Sequence, residues 1–176
     1  FVYYNLEKDS VSKIDNSASP CILFLLDGEV SIDSGEYQNV HIEKDKMVLI
    51  PQHVDNKIEV IYDAKCLLLF WNKDIRVCDK VYMNSLSSYK ERKKEMCVLP
   101  IRDPLQAVLN SIVAYLYAKM QCKHMHLIKQ QEVLLVLRGY YTKKELFTFF
   151  SSILGNTGHF EDFVMNNYRK VKSVKE

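Results

Sequence analysis

The period of the hydrophobic pattern changes near Trp71, and this change constrains the fold more than any other feature of the sequence. Before Trp71, short apolar stretches alternate with polar residues and are separated by turn residues, which is typical of β-strands. Beyond it, apolar residues recur at intervals of three and four, which is typical of amphipathic helices. The sequence therefore predicts an α+β protein in which strands come first and helices follow.

The stretch from Val2 to Trp71 contains seven predicted strands. Asp27-Gly28 has the composition of a tight hairpin turn, because glycine tolerates the positive φ that such turns require. Ala64–Trp71 is almost entirely apolar, as expected of a strand that is covered on both faces. Strands of this number and spacing predict a sandwich or a barrel.

The second part of the chain predicts a series of helices. The first starts near Pro104, and the second, His124–Tyr140, is apolar nearly all round its centre and should be buried. Thr142 and Glu145 form a capping-box pattern at the start of a third helix. A fourth helix is predicted over His159–Tyr168.

The two halves of the chain differ in charge. Residues 1–78 carry eight Lys or Arg and 13 Asp or Glu, whereas residues 79–176 carry 16 Lys or Arg and nine Asp or Glu. Such an asymmetry can mark a segment that meets nucleic acid, although a helical half with solvated lysines gives the same pattern. At the end of the chain, Ser173 and Glu176 have the spacing of a capping box, so we expect a further helical domain to follow Glu176.

Four short segments resemble AraC-type transcriptional regulators. Leu26–Val30 and Met47–Pro51 resemble a turn with its strand and a strand ending in proline from the cupin double-stranded β-helix. Phe160–Val164 and Asn167–Glu176 are similar to the connector and the first turn of the AraC-type DNA-binding domain. The order of a barrel, helices and a capped end is also that of the amino-terminal part of this family.

The resemblance implies a division of the chain into three parts. Residues 1–78 would form a small cupin-like β-barrel that senses a ligand, residues 79–168 a helical region for dimerisation, and residues 169–176 the start of a helix-turn-helix domain. The implied protein is the regulatory region of a bacterial, DNA-binding transcription regulator and is not an enzyme. Its implied partners are a small-molecule effector such as a sugar, a second copy of the chain, and DNA bound through the domain beyond Glu176.

Cupin domains often hold a metal ion through histidines, and the corresponding positions here carry other residues. Ser34 and Glu36 stand where a His-x-His pair would fall, Asn56 stands at the third ligand position, and His53 stands where glycine is usual. A transition-metal site needs three or more converging donors. We therefore expect no metal and no cofactor. A small cupin enzyme with an atypical metal site and a structural interaction domain with a filled barrel are the alternatives.

Side-chain chemistry suggests three groups of candidate site residues. Amphipathic rings offer stacking and a hydrogen bond, so ligand contacts are predicted at Tyr3, Tyr37, His41, His53 and Trp71. A stripe on the first helix either joins two copies or packs within one chain, and it consists of Leu105, Leu109, Ile112 and Leu116. Contacts to DNA phosphates are predicted at Arg169, Lys170, Lys172 and Lys175.

The sequence also indicates a cellular compartment. No apolar run approaches the roughly 18–20 residues that span a bilayer. The five cysteines are an odd number and are widely scattered, so we expect reduced, structural thiols and not a disulfide framework. These features predict a cytoplasmic protein.

Overall fold

A computed structural model describes residues 1–70, 96–120 and 122–153 of the chain. Several predicted features lie outside these residues: Trp71, the boundary between residues 78 and 79, the helix over His159–Tyr168, and the basic segment 169–176.

Within the described residues, the strands form one antiparallel sheet of seven. Six of them lie before Trp71, where seven were predicted, and the seventh lies beyond it. The strands are β1 (Val2–Leu6), β2 (Val11–Ser12), β3 (Cys21–Ser34), β4 (Tyr37–Glu43), β5 (Lys46–Ile50), β6 (Asn56–Phe70) and β7 (Val98–Pro100). The strand order is β1-β6-β3-β5-β7, with β2 paired to β6 and β4 paired to β3.

The two longest strands, β3 and β6, organise the sheet. They pair along their whole lengths, from Cys21 opposite Phe70 to Ser34 opposite Asn56. On its other side β3 pairs first with β5 and then with β4, while β6 pairs with β1 and β2. Each half of the long β3–β6 ribbon is therefore widened by a different pair of short strands.

A shift of register in the middle of β3 lets both halves of this ribbon face one core. The shift falls between Leu25 and Val30. Before it, odd-numbered residues such as Leu23 face the core, and after it even-numbered residues such as Ile32 do so. Because one inserted residue reverses the alternation of side chains, the sheet can bend while its apolar face stays inside. The result is a small barrel.

The expected hairpin at Asp27-Gly28 is wrong. The pair lies within the continuous strand β3, at its bend, and Gly28 has φ +84°. A Cβ atom on Gly28 would lie 2.1 Å from the carbonyl oxygen of Asp63 on β6. A bulge and a tight turn both require positive φ, so the same dipeptide serves either purpose.

The helical part consists of α1 (Asp103–Tyr117), α2 (Lys123–Tyr140) and a third segment, α3, over residues 143–153. Pro104 lies in the first turn of α1, as predicted. The predicted capping box is confirmed: the Glu145 backbone N–H donates to Thr142 Oγ1 (3.2 Å), and the Thr142 backbone N–H donates to Glu145 Oε2 (2.7 Å).

The helices pack on the outer face of the barrel. This second core joins apolar residues of β3, β5 and β6 to the inner faces of all three helices, and it includes Ile22, Phe24, Leu49, Leu67, Leu69, Leu105, Leu109, Ile112, Val133, Leu137 and Phe150. The predicted α+β class, with a small cupin-like barrel followed by helices, is confirmed. The prediction that the apolar stretch beginning at Ala64 is a strand covered on both faces is confirmed as well, because Leu67 and Leu69 pack in this second core and Cys66 and Leu68 pack inside the barrel.

Arg102 joins the barrel to the two later helices. Its guanidinium donates to the Tyr140 carbonyl at the end of α2 and, at 2.6 Å, to Glu145 Oε1 in the first turn of α3. It also lies 4.3 Å from the centre of the Tyr141 ring. The Tyr141 hydroxyl in turn donates to the Pro100 carbonyl of β7 at 2.7 Å. These contacts fix the α2–α3 junction against the sheet.

None of the helices in the described part of the chain is both long and apolar enough to span a bilayer.

Candidate functional site

The interior of the barrel is filled by its own side chains. Its core is apolar and includes Leu23, Leu25, Val30, Ile32 and Leu68, all of them almost fully buried. Polar groups occur toward one end, where the Asn56 side chain accepts from the Ile14 backbone N–H (2.8 Å) and donates to the Ile14 carbonyl (2.9 Å). That amide binds a neighbouring segment of the chain and is therefore occupied.

The residues at the cupin metal positions do not fit a metal site. Ser34 is buried and its hydroxyl has no hydrogen-bond partner among the described residues, whereas Glu36 is exposed to solvent. His53 is exposed on a turn with φ +60°, and the Asn56 amide is used as described above. Among the residues that the structure describes, no three His, Cys, Asp or Glu side chains come together as a metal would need.

The predicted ligand contacts are distributed over the barrel. His41 is exposed, and its Nε2 lies 2.6 Å from Glu29 Oε1. Tyr37 is half-buried; burial, and then the neighbouring Glu36, raise the pKa of its phenol. His53 lies on the turn described above. Tyr3, in contrast, lines a groove together with side chains of the helices.

This groove, which we call the β1–helix groove, lies between strand β1 and the helices α1 and α2. Its volume is about 630 Å³, and its lining consists of Phe1, Val2, Tyr3, Asn5, Leu116, Tyr117 and His126. The rings of Tyr3 and Tyr117 meet edge to face, with 5.5 Å between their centres. The groove therefore brings one predicted residue together with two that sequence reasoning did not select, Tyr117 and His126.

Ionisable groups in the β1–helix groove favour their neutral forms. Burial, followed by a hydrogen bond with Tyr117, raises the pKa of Tyr3 to about 12. Burial also lowers the pKa of His126. At neutral pH the phenol of Tyr3 is protonated and the imidazole of His126 is neutral. The groove thus presents aromatic and polar, but mostly uncharged, surfaces.

A second depression, of about 470 Å³, lies beside the edge of β6. Its lining includes the charged side chains of Lys8, Asp9 and Glu59 as well as the exposed ring of Tyr62. The Lys8 ammonium stands 5.8 Å from the centre of the Tyr62 ring. This depression is more charged than the β1–helix groove and contains none of the predicted ligand contacts.

The structure places most of the predicted dimer stripe inside the protomer. Leu105, Leu109 and Ile112 are fully buried against the sheet and α2, and Leu116 is half-buried beside the β1–helix groove. This placement corresponds to the second of the two interpretations, packing within one chain. The basic residues predicted to contact DNA lie outside the described residues.

Comparisons with known proteins identify similar folds. No protein-family model and no curated protein matches the chain. Among solved structures, apo ToxT from Vibrio cholerae is 17% identical, with 84% of this chain and 55% of that chain covered and a TM-score of 0.52. A cupin-2 domain protein from Shewanella frigidimarina is 17% identical over 38% of this chain and 63% of that chain, with a TM-score of 0.33. An oxalate decarboxylase from Bacillus subtilis is 10% identical over 42% of this chain and 21% of that chain, with a TM-score of 0.36.

The likeness to ToxT extends through both the barrel and the helices, since 84% of this chain is covered. At 17% identity it shows a shared fold. The chain spans about half the length of the ToxT structure and less than two thirds of each of the two cupin structures.

Proposed function

We propose that this chain is the effector-sensing, regulatory region of an AraC-type DNA-binding transcription regulator. The observation that carries the proposal is the shared order of barrel and helices with ToxT, an AraC-family regulator, over most of the chain. The segments Phe160–Val164 and Asn167–Glu176, which resemble the connector to a DNA-binding domain, support the same function.

The β1–helix groove supports a sensing role because its walls belong to both layers of the fold. Tyr3 comes from the barrel, Tyr117 from α1 and His126 from α2. A ligand in this groove therefore contacts both layers, and it shifts their relative arrangement if it binds one arrangement more tightly than another. Arg102 contacts both the last residue of α2 and the first turn of α3, so a movement of the end of α2 acts on α3 through the same side chain.

The test is operator binding by the complete native protein and by residues 1–176 alone. We expect the complete protein to shift its operator specifically in a mobility assay, and the shift to change when effector is added. Residues 1–176 should give only weak, salt-sensitive binding, because phosphate contacts alone carry no sequence information. Tight and specific operator binding by residues 1–176, or none by the complete protein, would contradict the proposal.

We further propose that two copies associate through the exposed face of α2. Ile128 and Leu135 lie seven residues apart on one face of this helix, and each side chain is 62% exposed. An antiparallel pair of α2 helices with its two-fold axis between Gln131 and Glu132 would place Ile128 of one copy against Leu135 of the other. Such a contact is self-complementary, as a symmetric interface requires.

Sedimentation equilibrium of the Leu135→Asp variant tests this interface. The variant should dissociate to monomers at concentrations at which the native protein is dimeric, because a charge would be buried without a partner. Val11→Asp is the matched control, since Val11 is 59% exposed on the barrel, away from α2. A native monomer at high concentration, or equal effects of the two substitutions, would exclude this interface.

Two alternatives are separated from this function by simple measurements. A cupin enzyme requires a metal ion, and the donors at the metal positions do not fit one; stoichiometric manganese, iron or zinc in the purified protein would support the enzyme. The packed barrel interior favours a structural domain without a ligand. Because a ligand selective for the native state raises apparent stability, a thermal-shift screen of the complete protein that finds no ligand would support that domain.

A further inference from the structure

We propose that the β1–helix groove binds an uncharged small molecule that combines an aromatic ring with one hydrogen-bonding group. The contacts come from Tyr3 on β1, Tyr117 on α1 and His126 on α2, with Asn5 at the rim. This inference deepens the proposed function by naming the class of effector. The regulatory consequence of binding rests on the proposed function, whereas the binding of the ligand in the groove does not.

The size and surface of the groove fit an aromatic ligand. A volume of about 630 Å³ lies within the usual range of small-molecule sites, about 300–1,000 Å³. Tyr3 and Tyr117 already meet edge to face, with 5.5 Å between their ring centres, and the ring of His126 is stacked on Phe1 at 5.8 Å. A further ring can join such a cluster through the edge-to-face and offset contacts that aromatic groups prefer. Leu116 supplies aliphatic surface beside them.

The charge of the lining selects against ionic ligands. Among the described residues that line the groove, none is acidic, lysine or arginine. The shifted pKa values of Tyr3 and His126 keep both side chains neutral at pH 7. A carboxylate or an ammonium group would lose its hydration here without a strong counter-charge, which is costly.

The polar groups of the groove are few, and this separates the proposed ligand from a sugar. In the described lining, the polar side-chain groups belong to Tyr3, Asn5, Tyr117 and His126. Within the described part of the chain, the Asn5 side chain makes no hydrogen bond and is exposed, so it can serve a ligand. A sugar would bury several hydroxyls against this small set of partners, and each buried hydroxyl without a partner weakens binding.

The experiment compares four probes by NMR titration and calorimetry on the complete native protein. Benzyl alcohol has the proposed chemistry, benzoate adds a charge, cyclohexylmethanol lacks the aromatic ring, and glucose represents sugars. Benzyl alcohol should bind saturably and perturb signals of Tyr3, Tyr117 and His126. Benzoate and glucose should bind at least about tenfold more weakly. Cyclohexylmethanol should bind about two- to tenfold more weakly, the contribution of aromatic pairing.

Tyr117→Ala locates the site, because Tyr117 is 66% exposed and its removal leaves the cores intact. We expect affinity for benzyl alcohol to fall about tenfold, whereas the matched control Tyr62→Ala, at a tyrosine that is 58% exposed on β6, should leave it unchanged. Tyr3→Phe, which keeps the ring, should have a smaller effect than Tyr117→Ala.

The outcomes separate this inference from the proposed function. Absence of saturable binding, equal effects of Tyr117→Ala and Tyr62→Ala, or tighter binding of benzoate or glucose would overturn the inference. If an effector changes operator binding equally in the native protein and in Tyr117→Ala, the groove ligand is not the effector, and the regulatory function stays intact. Binding of benzyl alcohol that Tyr117→Ala weakens, without specific operator binding, would support the inference and overturn the proposed function.

Discussion

Replacing Gly28 with alanine should destabilise the barrel more than the same substitution at any other glycine of the barrel. The new Cβ would lie 2.1 Å from the Asp63 carbonyl oxygen and 2.7 Å from the Ala64 Cα, both of them backbone atoms of β6. Backbone atoms of a paired strand cannot turn aside as a flexible side chain does. The β3–β6 ribbon must therefore separate locally, and the alanine must also adopt a φ of +84°.

The magnitude follows from these two effects. Positive φ at a residue other than glycine costs about 1–3 kcal/mol. The overlap with β6 adds about 1–3 kcal/mol, as in an overpacked core. The reduced freedom of the unfolded chain offsets about 0.4–1 kcal/mol. We therefore expect Gly28→Ala to lower the free energy of unfolding by about 3 kcal/mol, which lowers the urea midpoint by about 1–3 M for a chain of this size.

Urea unfolding followed by circular dichroism measures this change, and Gly139→Ala is the matched control. Gly139 lies in the last turn of α2, and an added Cβ would have no atom within 4 Å. The same chemical change should therefore raise the free energy of unfolding by up to about 1 kcal/mol, the difference in helix propensity. A Gly28→Ala midpoint equal to or above that of Gly139→Ala would refute the close approach of β3 and β6.

Three further predictions concern the second core, the cap of α3 and the β1–helix groove. Leu109→Ala should lower the free energy of unfolding by about 2–5 kcal/mol in urea, because it opens a cavity between barrel and helices. Hydrogen bonds from Thr142 lower the pKa of Glu145. The carboxylate therefore stabilises the fold above its unfolded pKa, and this contribution is lost as the pH falls. The melting temperature of Glu145→Gln should therefore fall less in acid than that of the native protein. The pKa of Tyr3 is raised to about 12, so the contribution of its phenol to stability is present below about pH 10 and is lost as the pH rises toward about 12. In an absorbance titration, the Tyr3→Phe variant should lack one late-ionising tyrosine. The stability of this variant should also fall less in alkali than that of the native protein.

Local patterns predicted the elements of this fold well because burial acts directly on them. The change of period near Trp71 separates the first six strands from the helices, since a strand exposes alternate residues and a helix exposes every third or fourth. Strand β7, which lies beyond Trp71, was not predicted. The capping box at Thr142 marks the start of α3 because both of its hydrogen bonds form within one turn. In both cases the residues that determine the structure are neighbours in sequence.

Patterns failed where long-range contacts decide between two uses of the same residues. Asp27-Gly28 signals positive φ, but only the pairing of Asp27 and Glu29 with β6 on either side of Gly28 makes it a bulge and not a turn. The stripe with Leu109 predicts an apolar helix face but not the surface that this face packs against. The apolar run of Ala64–Trp71 indicated that surface, because a strand covered on both faces needs an outer layer, and the helix stripe forms this layer.

The β1–helix groove could not be predicted from the sequence for the same reason. Tyr3 is more than a hundred residues away from Tyr117 and His126 in the sequence. The three meet because α1 and α2 pack against the outer face of the sheet, beside its edge strand β1. The sequence offered one signal for this groove, a tyrosine at the end of an apolar helix stripe, Tyr117. The ring of such a tyrosine can pack while its hydroxyl remains at the surface.

The two ends of α2 explain why a ligand in this groove can affect a distant part of the protein. His126 lies in the first turn beside the groove, and Tyr140, the last residue of the helix, accepts a hydrogen bond from Arg102. A helix of 18 residues is a rod about 27 Å long, so its first turn cannot tilt without moving its last turn. The guanidinium of Arg102 holds that last turn and, through Glu145, the start of α3. A displacement at His126 must therefore either strain the contacts of Arg102 or carry α3 with it, and α3 leads toward the end of the chain where DNA binding is proposed.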